Sequence, residues 1–128
     1  MNSVNKTILI IEDDRILLEM FDEFLGRSYA IKAETNITDA LKSLKSTAID
    51  AIITDFHLGT HNADTLIEWL IENRPELTSN VIILTGELSI RSKHHNHIAS
   101  VLYKPVAFDK LQTVVDHMFD HQHPEIGQ

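Results

Sequence analysis

The residues best suited to chemistry are polar groups that close short apolar runs. Glu12, Asp13 and Asp14 follow the run at 8–11 (ILII), and Asp55 follows 51–54 (AIIT). Thr85 and Gly86 follow 81–84 (VIIL), and Lys104 and Pro105 follow 101–103 (VLY). Gathered at one rim, they would place three or more acids, one hydroxyl and one ammonium together. Carboxylates crowded at the end of a buried strand repel one another and are costly to desolvate, so they call for a cation. Mg²⁺ suits them, because it takes hard oxygen ligands, keeps several waters and commonly shares its sphere between one or two carboxylates and a phosphate. An Asp carboxylate is a covalent nucleophile toward phosphorus, and phosphoryl transfer asks mainly for alignment and positive charge around the equatorial oxygens. Mg²⁺, Lys104 and Thr85 could supply both. Gly86, without a side chain, would leave its backbone N–H open to a phosphoryl oxygen.

These residues converge only if the runs lie side by side and parallel. Runs of three to five residues rich in Ile and Val, without strict alternation, suit strands covered on both faces. A weaker strand is expected at 29–32 (YAIK). Helical spacing lies between the runs. Ile16, Leu17, Met20, Phe21, Phe24 and Leu25 mark one buried face of a first helix, and Gly26 ends it. Asn36 or Thr38 caps a second, with Ile37, Ala40, Leu41 and Leu44 on its stripe. Leu66, Ile67, Leu70 and Ile71 mark a third before Pro75. A thinly apolar helix is expected over 87–97, and a last one carries Phe108, Leu111, Val114, Val115 and Met118.

The βα alternation, five times over, implies an α/β fold: a doubly wound five-stranded parallel sheet with right-handed crossovers. The first, third and fourth runs are apolar throughout and belong in the centre, while the mixed second and fifth fit the edges. The flavodoxin-like (βα)5 order 2-1-3-4-5 satisfies this, with its ligand site outside the carboxyl ends of the strands.

The chain has 128 residues, enough for one domain. We expect a single unit over 1–128, its core about 6–121, with 122–128 a flexible tail. Nineteen acids against eleven Lys and Arg leave a net charge of −8 with no basic run, which argues against direct nucleic-acid binding. The absence of Cys removes disulfides, thiolate metal sites and Cys nucleophiles. Four consecutive apolar residues near the start are too few for a signal-peptide core. No run approaches the ~18–20 residues of a membrane span, so a soluble cytoplasmic protein is expected.

The segments ILIIEDD, AIITDFHL, VIILTG and VLYKP resemble, in order and spacing, the receiver domains of two-component signalling response regulators. The resemblance runs from the first strand to the start of the last helix. It implies that Asp55 is the phosphoacceptor, that Glu12 and Asp13 are the acidic Mg²⁺ pair, and that the His57 backbone carbonyl is a further metal ligand. It also implies that Thr85 and Lys104 hold the phosphoryl group and that the Lys104–Pro105 peptide is cis. The implied phosphodonor is a histidine kinase or histidine phosphotransfer protein, and the chain is a phosphoacceptor rather than a turnover enzyme. With only HQHPEIGQ beyond the last helix, output is expected to pass through another protein, unless the chain relays phosphate or belongs to a hybrid kinase.

The chain departs from the family's pattern at three places. Where receivers usually carry Pro soon after the acceptor and Gly four residues beyond it, this chain has Gly59 and Ala63, so the loop at 59–62 is expected to have its own conformation. Where many receivers place a switch aromatic three residues before the Lys, it has Val101, with Tyr103 the nearest substitute. These departures leave a phosphorylation-independent binding module as the alternative function.

Blander readings stand beside these. Asp13 or Asp14 would serve equally as a helix N-cap, and Trp69 as core packing. His94, His95 and His97, or His117 and His121, have spacing that invites a transition metal, but no carboxylate or Cys completes either set. A haloacid-dehalogenase-type phosphohydrolase would need Asp where His57 stands, and a flavodoxin would need a hydroxyl-rich loop where EDD stands.

Overall fold

The computed structural model describes residues 6–86 and 97–120. Five strands form one parallel sheet: β1 (Thr7–Ile11), β2 (Ala30–Glu34), β3 (Ala51–Asp55), β6 (Val81–Thr85) and β7 (Ser100–Tyr103), in the order β2-β1-β3-β6-β7. A separate two-stranded hairpin joins β4 (His57–Leu58) to β5 (His61–Asn62). The helices are α1 (Arg15–Leu25), α2 (Ile37–Ser46), α3 (Ala63–Asn73) and α4 (Phe108–Asp120), and a short 3-10 segment spans Pro75–Asn80. The helix expected over 87–97 lies outside the described residues except for its last position.

Strand burial matches the order. Every residue of β3 and β6 is buried, as is β1 from Ile8 onward, whereas β2 and β7 are mixed and occupy the edges. Alternate residues feed two cores. Leu9, Ile11, Ile52 and Ile83 pack beneath α2 and α3. Ile8, Ile10, Ile53 and Leu84 pack beneath α1 and α4. Helices on both faces explain why the central strands carry no polar alternation.

The first helix corrects one expectation. Ile16 and Met20 are exposed, at 73% and 46%, while Leu18, Phe21 and Leu25 form the buried stripe. Phe21 and Leu25 recur at i and i+4, and Leu18 precedes Phe21 by three, so the true stripe is rotated by about half a turn from Ile16. Ile71 is likewise outside the core of α3, at 39%. Gly26 ends α1 as expected, but at φ −64°. A Cβ there would come within 2.5 Å of the Asp22 carbonyl oxygen, so close approach favours glycine rather than the left-handed region. Asn36 caps α2, accepting from the Asp39 N–H. The second strand begins one residue later and ends two residues later than the sequence suggests, and Tyr29 instead sits buried beside it, its hydroxyl donating to Asp116 of α4.

Candidate functional site

Register alone brings the first three polar groups together. Ile11 is level with Thr54, which makes Glu12 the neighbour of Asp55. On the other side Asp55 is level with Leu84, and Leu84 with Leu102. Backbone pairing continues one residue past β1 and β7: the Glu12 N–H donates to the Glu34 carbonyl (3.1 Å) and the Lys104 N–H to the Thr85 carbonyl (2.7 Å). The pleat therefore continues, and Glu12, Asp55 and Lys104 fall on the α1–α4 side of the sheet, in phase with Ile10, Ile53 and Leu102.

Lys104 Nζ lies 3.1 Å from Glu12 Oε1 and 2.6 Å from Asp55 Oδ1. Glu12 is 2% exposed and Asp55 7%. The Lys104–Pro105 peptide is cis. Carboxylate oxygens of Glu12, Asp13 and Asp55 lie within 4.8 Å of one another, with Asp13 exposed at the rim. Asp14, next along the chain, is not part of this group. Its Oδ1 accepts from the N–H groups of Ile16 and Leu17, capping α1, and its own N–H donates to Glu12 Oε2 (3.1 Å). The choice of cap between Asp13 and Asp14 thus falls to Asp14, which frees Asp13 for the cluster.

Charge in this cluster does not balance. Burial, reinforced by the neighbouring Asp55, pushes the Glu12 carboxyl above its ordinary value. Burial would lower Lys104, but Asp55 and Glu12 outweigh it and raise the ammonium. Asp55 Oδ1 is paired with the Lys104 ammonium at 2.6 Å, and among the described residues no other group donates to it. One ammonium cannot neutralise three carboxylates. A hard divalent cation with oxygen preference fits this donor set, and Glu12, Asp13 and Asp55 are the residues that would hold it.

Thr85 is 3% exposed and, with Asp55, His57, Gly86 and Lys104, lines a cleft of about 100 Å³. Thr85 lies in phase with Ile83, on the opposite face from Asp55, and reaches the cleft at the strand end. Among the described residues, an added Cβ at Gly86 would meet no atom within 4 Å. Val101 is half-buried against the α2–α3 core, and Tyr103 is 45% exposed and level with Thr85.

Downstream of Asp55, His57–Leu58 and His61–Asn62 form a short antiparallel hairpin. Gly59, at φ +66°, and Thr60 form a two-residue turn, and Thr60 does not share the positive φ. That combination is the type II′ hairpin turn, which wants Gly at its first central position. Leu58 anchors the hairpin in the core at 4% exposure, Asn62 caps α3 through the Asp64 N–H, and the Ala63 N–H returns to the Phe56 carbonyl (2.7 Å). No sequence signal pointed to Phe56 and Leu84 as cleft-lining residues, because both read simply as core. Trp69 packs partly buried against the α2–α3 core, as expected. His94, His95 and His121 fall outside the described residues, and His117 is exposed.

The family model for the response regulator receiver domain matches residues 8–116. Among solved structures, a signal receiver domain of an HD domain-containing protein from Pseudomonas fluorescens Pf-5 is 26% identical with a TM-score of 0.83, covering 93% of this chain and 98% of that one. A CheY-like receiver domain protein from Methanospirillum hungatei JF-1 is 22% identical (TM-score 0.84; 94% and 98% covered). A BeF3-activated DrrB receiver domain is 21% identical (TM-score 0.78; 90% and 97% covered). Among curated proteins no sequence matches this chain.

Proposed function

The chain belongs to the response regulator receiver domains, and from that premise we propose that it is a phospho-accepting switch, phosphorylated on Asp55 with Mg²⁺ by a histidine kinase or histidine phosphotransfer protein. The observation that carries the reading is the Lys104 ammonium, 2.6 Å from Asp55 and 3.1 Å from Glu12, which joins the ends of three strands in one over-acidic cleft.

In the proposed reaction a carboxylate oxygen of Asp55 attacks phosphorus in line. The P–N bond of a phosphohistidine donor breaks, and its electron pair leaves with the imidazole. Glu12, Asp13, Asp55 and the His57 carbonyl would hold Mg²⁺, which would supply charge neutralisation for the phosphoryl oxygens. Lys104, already oriented by two carboxylates, then shifts its ion pair toward the new dianion. Thr85 supplies a hydroxyl and Gly86 an N–H on the same side. With Asp55 converted to an acyl phosphate, Lys104 exchanges a carboxylate partner for a phosphoryl oxygen and Thr85 gains a phosphoryl partner, and this redistribution is what a protein partner would read. As a family, receiver domains are signalling domains rather than turnover enzymes.

A second reading, a binding module that signals without phosphate, draws on Val101 in place of an aromatic and on the Gly59 hairpin. Acetyl phosphate with Mg²⁺, followed by intact mass, separates the two. The switch reading expects a gain of one phosphoryl group that disappears in Asp55→Asn; no gain in the wild-type chain leaves the binding module. No helix among the described residues is long and apolar enough to cross a membrane, and a cytoplasmic place for the protein is part of this proposal.

A further inference from the structure

We propose that Thr54 is a positioning residue for phosphoryl transfer: its buried hydroxyl holds the peptide that follows Asp55 and so keeps the carboxylate aligned for attack. The inference rests on the phosphoacceptor reading and concerns the same site.

Thr54 is the polar member of the run AIIT that precedes the acid, and it is fully buried, at 0% exposure. Its side chain lies in phase with Ile52, which belongs to the α2–α3 core. A hydroxyl in such surroundings is destabilising unless it is hydrogen-bonded. This one donates to the carbonyl of Asp55, 2.9 Å away.

The strand ends in a way that leaves that carbonyl in need of a partner. The Phe56 N–H donates to the Leu84 carbonyl (2.9 Å), toward β6. The Asp55–Phe56 peptide is trans, and across a trans peptide the C=O points opposite to the N–H, so the Asp55 carbonyl faces β1. Pairing of β1 with β3 stops at Ile11 and Thr54, and Glu12 turns its own N–H away, to Glu34. The Thr54 hydroxyl takes the place of the next rung. Leu84 and Thr54 thus grip the two polar ends of one peptide, while Lys104 holds the carboxylate itself at 2.6 Å. Backbone and side chain of the nucleophile are fixed from separate directions. In-line attack is sensitive to such placement, since a shift of ~1 Å can cost on the order of 10² in rate. A valine here would keep the shape of the side chain and release the carbonyl, which separates positioning from packing.

The test follows phosphoryl uptake from acetyl phosphate by intact mass, using the full chain, with rates extrapolated to saturating Mg²⁺ and folding checked by circular dichroism. Thr54→Val is expected to react roughly tenfold more slowly, equal to about 1.4 kcal/mol of barrier. Thr54→Ser, which keeps the donor without the methyl, should stay within about twofold of the wild type. Thr54→Ala and Thr54→Ser differ in the hydroxyl alone and should show the same gap, which covers the case of a valine variant that fails to fold. A wild-type rate in Thr54→Val, a serine variant as slow as its alanine counterpart, or a deficit that vanishes on extrapolation to saturating Mg²⁺ each overturns the alignment role. No uptake by the wild-type chain removes the phosphoacceptor reading and this inference with it, whereas uptake at equal rates in all variants removes the inference alone.

Discussion

Asp50 and Asp55 stand at opposite ends of β3, and the two rims they occupy are built on opposite principles. At the amino rim, Asp50 is woven into the backbone. Its Oδ2 accepts from the Thr7 N–H (2.8 Å), its N–H donates to the Thr7 carbonyl (2.8 Å), and its carbonyl accepts from the Asn80 amide (2.9 Å). At the carboxyl rim, Asp55 meets, among the described residues, two further carboxylates and one ammonium. The amino-rim cleft, lined in part by Lys6, Asp50, Arg74 and Asn80, has the larger volume, about 260 Å³ against about 100 Å³. Asn80 Oδ1 lacks a partner there, but it is neutral and its cost is only about 1–3 kcal/mol. Uncompensated charge, not volume, distinguishes the rim proposed to do chemistry.

The sharpest way to break that contrast is to remove each acid in turn. Asp55→Asn should abolish phosphoryl uptake completely by intact mass, while Asp50→Asn, which keeps an acceptor for Thr7, should take up phosphate as the wild type does. Uptake on a residue other than Asp55 would falsify the assignment of the rims. Next in size is Lys104→Ala. It strands two buried carboxylates, so without Mg²⁺ the unfolding free energy from chemical denaturation should drop by about 1–3 kcal/mol, less than the ~3–5 of a fully buried pair because the lysine is partly solvated. Adding Mg²⁺ should recover part of the loss; no recovery would count against cation binding by the acidic cluster.

Mg²⁺ itself should raise Tm of the wild-type chain, by about 2.7 kcal/mol of stability at a hundred times Kd, and EDTA should reverse the effect. The pH profile refines the point. Because burial and Asp55 raise Glu12, the folded chain binds that proton more tightly than the unfolded chain does. The group therefore contributes stability at pH below its ordinary value of 4.5 and loses that contribution as pH rises through the folded value. In EDTA, the difference in Tm between wild type and Glu12→Gln should thus move against the wild type as pH climbs through that window; a difference independent of pH contradicts the electrostatics described. Smallest of all, Ile16→Ala should change stability by no more than about 0.5 kcal/mol, whereas Leu18→Ala should cost about 2–5 kcal/mol. Thermal melts of the two variants check the rotated face of α1.

Much of this was legible because strands and their ends leave strong local marks. Four apolar runs closing in EDD, D, TG and KP gave the sheet, its order and the cleft together, since strand polarity alone puts YAIK and SVLY at the edges. The first helix was harder. Ile16 and Met20 satisfy helical spacing as well as Leu18, Phe21 and Leu25 do, and only the placement of Asp14 as cap, with α1 docking on the sheet through Phe21, selects between the stripes. The hairpin was half legible: Gly59 signalled a departure, but two-residue strands are too short for any periodicity, and the burial of Leu58 is a tertiary fact. The choice between Asp13 and Asp14 as cap turns on a difference of one residue in backbone geometry, which composition does not encode.

The pairing of Ile11 with Thr54 has a final consequence. A one-residue slip of β1 would turn Ile8 and Ile10 to the other face and carry Glu12 away from Asp55 in the same stroke. A chain that has folded soundly has therefore also assembled its acidic cluster, and errors in the first strand should surface as misfolded protein rather than as stable, silent copies.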